Sequence, residues 1–409
     1  MPKVCVIAPG RVDGGANLLL GRAAMHLAKK YRWSLHLVDV EGGAVWRLWN
    51  RAGVTFSFQV YAPGSILSVE PTDYVLVCLL GAKLIGKNWL VRREVRLLLW
   101  CTAPQDSFKF LPWSIIANNW TWQVRSFAAF CLSWGHKRRI GSFLREASRR
   151  GGLVFMDEHT FEVSSAIFGH GIVKHIIPIC TDEPTRPRRP SFSGMRRAYW
   201  VGRVTDFKTE SLIAGASALL GAISEESVEE VVVIGAGEGM EHAKAALAGK
   251  PVRWLGALSA EEMDEEIYTH AWLVFGHATS LLEAAKFGIP SLLIDATYDP
   301  VNLAEVRMEW VHRVGATYVG AIVPSDKLSG RDPRDCLDEL ARTPAAIGVD
   351  CHRRWLREHS PEIAASLLSE ALKRSNYTAG DLLDSGATRP GVAGRMTEWA
   401  KRVIFRRIN

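Results

Sequence analysis

Apolar runs of strand length recur along the chain, and most are followed by segments whose apolar residues fall three and four apart. Val4-Cys5-Val6-Ile7-Ala8 reads as a strand, and Leu20, Ala23, Ala24 and Leu27 then mark one face of a helix. Ser34 to Val38, Tyr74 to Leu79, Val95 to Trp100 and Leu153 to Phe155 are further strands by the same pattern. The alternation stops at Glu183-Pro184-Thr185-Arg186-Pro187-Arg188-Arg189-Pro190-Ser191-Phe192-Ser193-Gly194, which is almost without apolar residues. It then restarts with strands Ala198 to Val201, Val231 to Ile234, Val252 to Leu255, Trp272 to Phe275 and Ser291 to Asp295. Helices are predicted from about Thr209, Met240, Ser259 and Ser280, and over Pro300 to Arg313 and Cys351 to Arg374. Strands alternating with helices twice over predict an α/β chain of two doubly wound, Rossmann-like domains facing a cleft. The expected boundaries are residues 1–182 for the first domain, 183–197 for a linker, 198–350 for the second domain, and 351–409 for C-terminal helices and a basic tail.

Composition adds limits to this picture. A chain of 409 residues is long enough for two or three domains. With 48% apolar and 23% charged residues it fits neither a disordered chain nor a polytopic membrane protein. The opening apolar run breaks at Pro9-Gly10, too early for a signal peptide, so a cytoplasmic location is expected. The seven cysteines are scattered without a Cys-x-x-Cys pair and read as reduced, mostly buried thiols.

The net charge of +7 is concentrated rather than spread. Between Lys83 and Arg150 thirteen Lys and Arg face three carboxylates, a local excess larger than that of the whole chain. Trp89, Trp100, Trp113, Trp120, Trp122 and Trp134 fall in the same window. Pro112, Asn118, Asn119 and Gln123 interrupt its apolar part, which argues against a spanning helix and for a segment lying on an anionic membrane surface. A solvated basic face over buried tryptophans and a single-stranded nucleic-acid site are the other readings, and no nucleic acid is expected. Met396, Trp399, Ala400 and Val403, beside Arg395, Arg402 and Arg406, make a second narrow amphipathic stripe.

In doubly wound sheets ligands bind beyond the carboxyl ends of strands, and the candidate residues follow strands. The loop after the first strand carries Gly14 and Gly15, which let the backbone approach a ligand but also suit an ordinary turn. Arg203 and Lys208 follow strand 198–201, where two cations can converge on a diphosphate. Gly235-Ala236-Gly237 invites a dinucleotide reading, which fails because Met240 stands where the third glycine belongs. Gly276-His277-Ala278-Thr279-Ser280 follows strand 272–275, with Glu283 one turn further. Glu283 can accept hydrogen bonds from ribose hydroxyls, or it can close a capping box with Ser280 and bind nothing. Asp106 is a candidate general base that could equally cap a helix or pair with Lys109. No histidine has metal-ligand spacing, so no metal site is expected.

The ordered set Val201-Gly202-Arg203 with Lys208, Val233-Ile234-Gly235-Ala236-Gly237, Leu255-Gly256-Ala257-Leu258-Ser259, and Leu282-Glu283-Ala284-Ala285 with Gly288-Ile289-Pro290 resembles the GT-B glycosyltransferases, particularly the nucleotide-sugar enzymes called family 4. The resemblance covers residues 198 to about 295 and, more loosely, Gly14-Gly15 and Ile176 to Asp182. It implies a GT-B architecture in which Arg203 and Lys208 neutralise the donor diphosphate, Gly256 and Leu258 line the base pocket, and Glu283 holds the ribose. It further implies transfer from a nucleotide diphosphate sugar, with no bound cofactor or metal, to a lipid-linked or polysaccharide acceptor at the inner membrane face, in cell-surface glycan assembly. The sequence departs from the family at Phe275, where a second Glu is common, and at Cys101-Thr102, where many members have His, so retention versus inversion stays open. A non-catalytic nucleotide-sugar-binding protein and a GT-B-like sugar 2-epimerase are the alternatives.

Overall fold

The computed structural model describes residues 1–11, 15–62, 67–68, 71–90, 92–108, 134–189, 192, 194–222 and 227–388. The chain forms two compact units, Met1–Pro178 together with Ala364–Asn409, and Ile179–Ile363.

The strands of the first unit are β1 (Lys3–Ile7), β2 (Ser34–Asp39), β3 (Phe56–Val60), β4 (Leu67–Ser68), β5 (Tyr74–Cys78), β6 (Trp89–Leu90), β7 (Arg96–Cys101) and β8 (Leu153–Phe155). Six of them make a sheet in the order β3-β2-β1-β5-β7-β8, while β4 and β6 pair separately. All of the six-stranded sheet's pairings are parallel. Val4, Cys5, Val6 and Ile7 are fully buried, as a strand covered by helices on both faces requires. The helix Gly15–Tyr31 buries Leu20, Ala23, Ala24 and Leu27, the face that the spacing predicts. β3 escapes the pattern because Ser57 and Gln59 alternate with Phe56 and Phe58 on a half-buried edge strand.

Residues 375–379 complete this unit. Tyr377 O accepts from Leu97 N at 2.7 Å, Ser375 Oγ donates to Leu97 O at 2.7 Å, and Ala379 N donates to Val95 O at 2.9 Å. Buried Tyr377 packs so closely that a β-carbon on Gly152 would lie 2.3 Å from its own.

The second unit holds β9 (Arg197–Val201), β10 (Glu230–Ile234), β11 (Val252–Gly256), β12 (Ala271–Gly276), β13 (Ser291–Leu293) and β14 (Glu309–Trp310). Their order is β11-β10-β9-β12-β13-β14, parallel except for the antiparallel last pair. Each unit is thus doubly wound, with the strand order reversing between β1 and β5 in one and between β9 and β12 in the other.

Four expectations change. The units divide at 178 and 363 rather than at 182 and 350, because Trp355 Nε1 donates to Thr181 Oγ1 and His359 Nδ1 donates to Ile179 O, both at 2.8 Å. The basic segment read as a linker belongs in its described part to the second unit, where Arg186 pairs with Glu265 and Arg189 N donates to Phe287 O at 2.8 Å. The helix expected over Pro300 to Arg313 is instead a short 3-10 turn, Leu303–Glu305, followed by β14. Val306, Met308 and Trp310 are fully buried while Arg307 and Glu309 are not, a period of two that fits a strand. The helix expected over Cys351 to Arg374 is interrupted. Pro344–Arg354 and Pro361–Arg374 are separate helices, since Pro361 has no N–H to give and holds Ser360 extended (φ −68°, ψ 151°).

Candidate functional site

The carboxyl ends of β9 and β12 lie side by side, and their loops carry Gly202-Arg203 and Gly276-His277. Gly235 and Gly237 serve the packing of these loops. Gly202 N donates to Ile234 O at 2.9 Å, and Gly235 N to Gly256 O at 2.7 Å. A β-carbon on Gly235 would stand 1.9 Å from Gly202 O, and one on Gly237 2.2 Å from Val204 O. The Gly-x-Gly pattern therefore reflects close backbone approach. Gly256 and Leu258 lie on the same edge of the sheet, with Gly256 at φ +73°.

Arg203 is exposed and Lys208 half-buried, in the first turn of the helix Asp206–Gly221. A β-carbon on Gly202 would lie 3.7 Å from Ser280 Oγ and 3.8 Å from Lys208 Nζ, so both strand-end loops converge on one spot. Burial, and secondarily Arg203, push Lys208 down to about 8. Among the described residues neither cation has a carboxylate within ion-pair distance.

His277 is buried between Trp200, at a ring distance of 5.7 Å, and Phe207, at 6.4 Å. Neither ring nitrogen makes a hydrogen bond of ordinary geometry. Burial first and Lys208 second hold it well below the usual histidine range, against a small opposing pull from the Ile294 backbone, so it is neutral. The next residue, Ala278, has φ 57° and ψ −136°, a conformation costing about 1–3 kcal/mol outside glycine. Its N–H donates to Val319 O at 2.6 Å.

Thr279 opens the seven-residue helix Thr279–Ala285. Ser280 Oγ donates to His277 O at 3.0 Å, so Ser280 and Glu283 form no capping box. That motif appears instead at Ser259 and Glu262, at the start of the helix Ala260–His270. Glu283 is buried, and its Oε2 accepts from Lys286 Nζ at 2.7 Å. The same ammonium donates to Asp264 Oδ2 at 2.9 Å. The sequence reading missed Lys286, since a Glu and a Lys three apart occur on many solvated helices; the apolar residues on both sides were the available signal.

In the first unit Gly15 begins its helix and is exposed, and Gly14 lies outside the described residues. Asp39, which the sequence reading also missed, is fully buried at the end of β2 and accepts from Gly10 N at 3.0 Å and Val40 N at 2.7 Å. Burial raises its pKa against those N–H groups. The signal was a lone acid ending an apolar strand. Asp106 is buried, and its Oδ2 accepts from Thr102 N at 3.0 Å and from Thr102 Oγ1 at 2.8 Å. Burial, then Asp106, keep Cys101 well above the usual thiol range.

The basic window is described only in part. Residues 109–133, with Trp113, Trp120 and Trp122, and the stripe from Arg395 to Arg406 lie outside the described residues. Trp100 is fully buried. Arg150 pairs with Asp381 at 2.6 Å and Arg93 with Asp384 at 2.5 Å, so acids of the helix Ala379–Ser385 neutralise part of the excess. Among the described residues no helix is long and apolar enough to cross a membrane, and no group of three or more His, Cys, Asp or Glu is arranged to hold a metal ion.

No protein-family model matches the chain. No curated protein matches it either. Solved structures do. HepE of Anabaena, in complex with UDP and glucose, is 11% identical, with a TM-score of 0.54 over 91% of this chain and 100% of its own. AviGT4, a glycosyltransferase involved in avilamycin A biosynthesis, is 15% identical, with a TM-score of 0.51 over 91% of this chain and 98% of its own. The lipopolysaccharide outer core galactosyltransferase WaaB is 11% identical, with a TM-score of 0.50 over 91% of this chain and 99% of its own. The two doubly wound sheets and these similarities together show that the chain has the GT-B glycosyltransferase fold.

Proposed function

We propose that the protein is a glycosyltransferase whose second unit binds a nucleotide diphosphate sugar. One observation carries this reading: Arg203 and Lys208 meet at the β9–β12 reversal with no carboxylate partner among the described residues, beside a buried histidine whose ring makes no hydrogen bond of ordinary geometry. Such a place lacks an anion, and a diphosphate supplies one with oxygens for every donor. When the glycosidic bond breaks, charge grows on the leaving diphosphate, and fixed cations stabilise that charge more than the ground state. HepE, with UDP and glucose, is consistent with this class of ligand.

The acceptor side of the proposal rests on the first unit. A lipid-linked or polysaccharide acceptor, on the cytoplasmic face of a membrane, fits the basic, tryptophan-rich window between Lys83 and Arg150. Asp106 remains the proposed base, with Thr102 orienting its carboxylate.

Titration with uridine, adenosine and guanosine diphosphates tests the donor site. At least one should bind, and Arg203→Ala and Lys208→Ala should each weaken it by about 1–3 kcal/mol, with the melting temperature of the free protein little changed. Unchanged affinity in both variants would refute the assignment. Co-sedimentation with anionic and neutral vesicles at low and high salt tests the membrane face, which is rejected by equal recovery on both or by recovery on neither.

A further inference from the structure

Lys286 lies three residues beyond Glu283 on the chain, with 3% of its side chain exposed. Its Nζ serves two carboxylates from two helices, Glu283 at 2.7 Å and Asp264 at 2.9 Å, over the ring of Phe287 at 4.8 Å. Burial works against the charge of this lysine, yet the two carboxylates more than offset it and keep the group an ammonium. Fastening one helix to the other needs a single carboxylate across the gap, and Asp264 supplies it. The second bond, to Glu283, joins residues of the same turn and adds nothing to that fastening. What it does is fix one carboxylate in a single orientation, one turn beyond the loop Gly276–Ala278 that flanks the cation pair.

We propose that Lys286 is a positioning residue for nucleotide recognition: it holds the Glu283 carboxylate where that group accepts hydrogen bonds from the vicinal hydroxyls of a ribose. The inference rests on the donor-site reading above. A carboxylate already oriented loses no rotamer freedom when the ligand arrives, so its hydrogen bonds add fully to affinity. A lysine that only stabilised the fold would affect every nucleotide alike; one that positions Glu283 affects only nucleotides that carry the hydroxyls.

The test is calorimetric titration of the wild-type protein, Lys286→Met and Lys286→Gln with the tightest-binding nucleoside diphosphate and with its 2′,3′-dideoxy analogue. The wild type should prefer the ribose form by roughly tenfold or more, the scale of charge-assisted hydrogen bonds. In Lys286→Met the preference should fall to about twofold or less through loss of affinity for the ribose form alone, with the dideoxy affinity unchanged. Lys286→Gln keeps a shorter, neutral donor and should fall between the two, which also serves if the methionine variant does not fold. A folded variant that retains the full ribose preference while losing thermal stability would overturn the proposal. A wild type that binds both forms equally would remove the ribose role of Glu283, and that of Lys286 with it, leaving the diphosphate site intact. A wild type that binds neither would refute the donor-site reading itself.

Discussion

Lys208 changes charge within the range of ordinary assays, because burial and Arg203 bring it to about 8. A diphosphate bound there favours the ammonium, so affinity for a nucleoside diphosphate should weaken progressively as pH rises above about 8, and Lys208→Met should remove that dependence. The stability of the free protein moves the opposite way. The unfolded lysine holds its proton to higher pH than the folded one, so the cost of burying its charge is fully present below 8 and is relieved as pH climbs above it, measurable by denaturant titration at pH 7 and 9.5. His277 offers a second test. Its buried ring, without a hydrogen bond of ordinary geometry, is a burden on the free protein, and His277→Leu should raise the melting temperature, by a free energy of about 1 kcal/mol, while weakening nucleotide binding. Arg203 and Lys208 were legible from sequence because both follow an unmistakable strand. The isolation of the His277 nitrogens was not, since it depends on Trp200 and Phe207, which come from other stretches of chain.

Elements were legible where a period persisted. β9, β10, β12 and β13 stand within a residue or two of where the apolar runs place them because each is a central, buried strand, and the half-buried edge strand β11 does so through its run Val252 to Leu255. β14 was missed although Val306, Met308 and Trp310 alternate with Arg307 and Glu309, because the strand is only two residues long and what holds it lies elsewhere in sequence. Glu339, from the helix Pro333–Arg342, accepts from Trp310 Nε1 at 3.2 Å and from Arg331 at 3.0 Å, and Arg331 also holds Glu309. Burial would raise the Glu339 carboxyl, but hydrogen bonds from Arg313, Arg331 and Trp310 dominate and pull it down to about 2. The stabilisation is complete above an ordinary glutamate value near 4.5 and is lost as pH falls from there towards 2. Thermal melts should therefore show Glu339→Gln losing stability at pH 7 but little relative to wild type near pH 2. In the loops, Gly235→Ala should cost at least about 2 kcal/mol and weaken nucleotide binding, since its methyl group displaces the carbonyl of Gly202 beside Arg203.

On the scale of the whole molecule, alternation of strands and helices was enough to foresee two doubly wound units but not which unit owns the last helices. Sequence order suggests that everything after residue 350 forms one appendage; hydrogen bonds decide otherwise, with Trp355 and His359 serving the second unit and Tyr377 the first. Removing residues 364–409 should consequently destabilise the first unit, while nucleoside diphosphate still raises the unfolding temperature of the second, as two calorimetric transitions would reveal. The second unit is thus an insertion in the chain of the first, and this has a consequence for synthesis. A growing polypeptide contains all of the second unit once Ile363 has left the ribosome, when the first unit, begun earlier, still lacks Ser375, Tyr377 and Ala379. Domains fold as units as they emerge, so the part made later should become protease-resistant first, and nascent chains stalled where Ile363 has just cleared the exit tunnel are where that reversal would be seen.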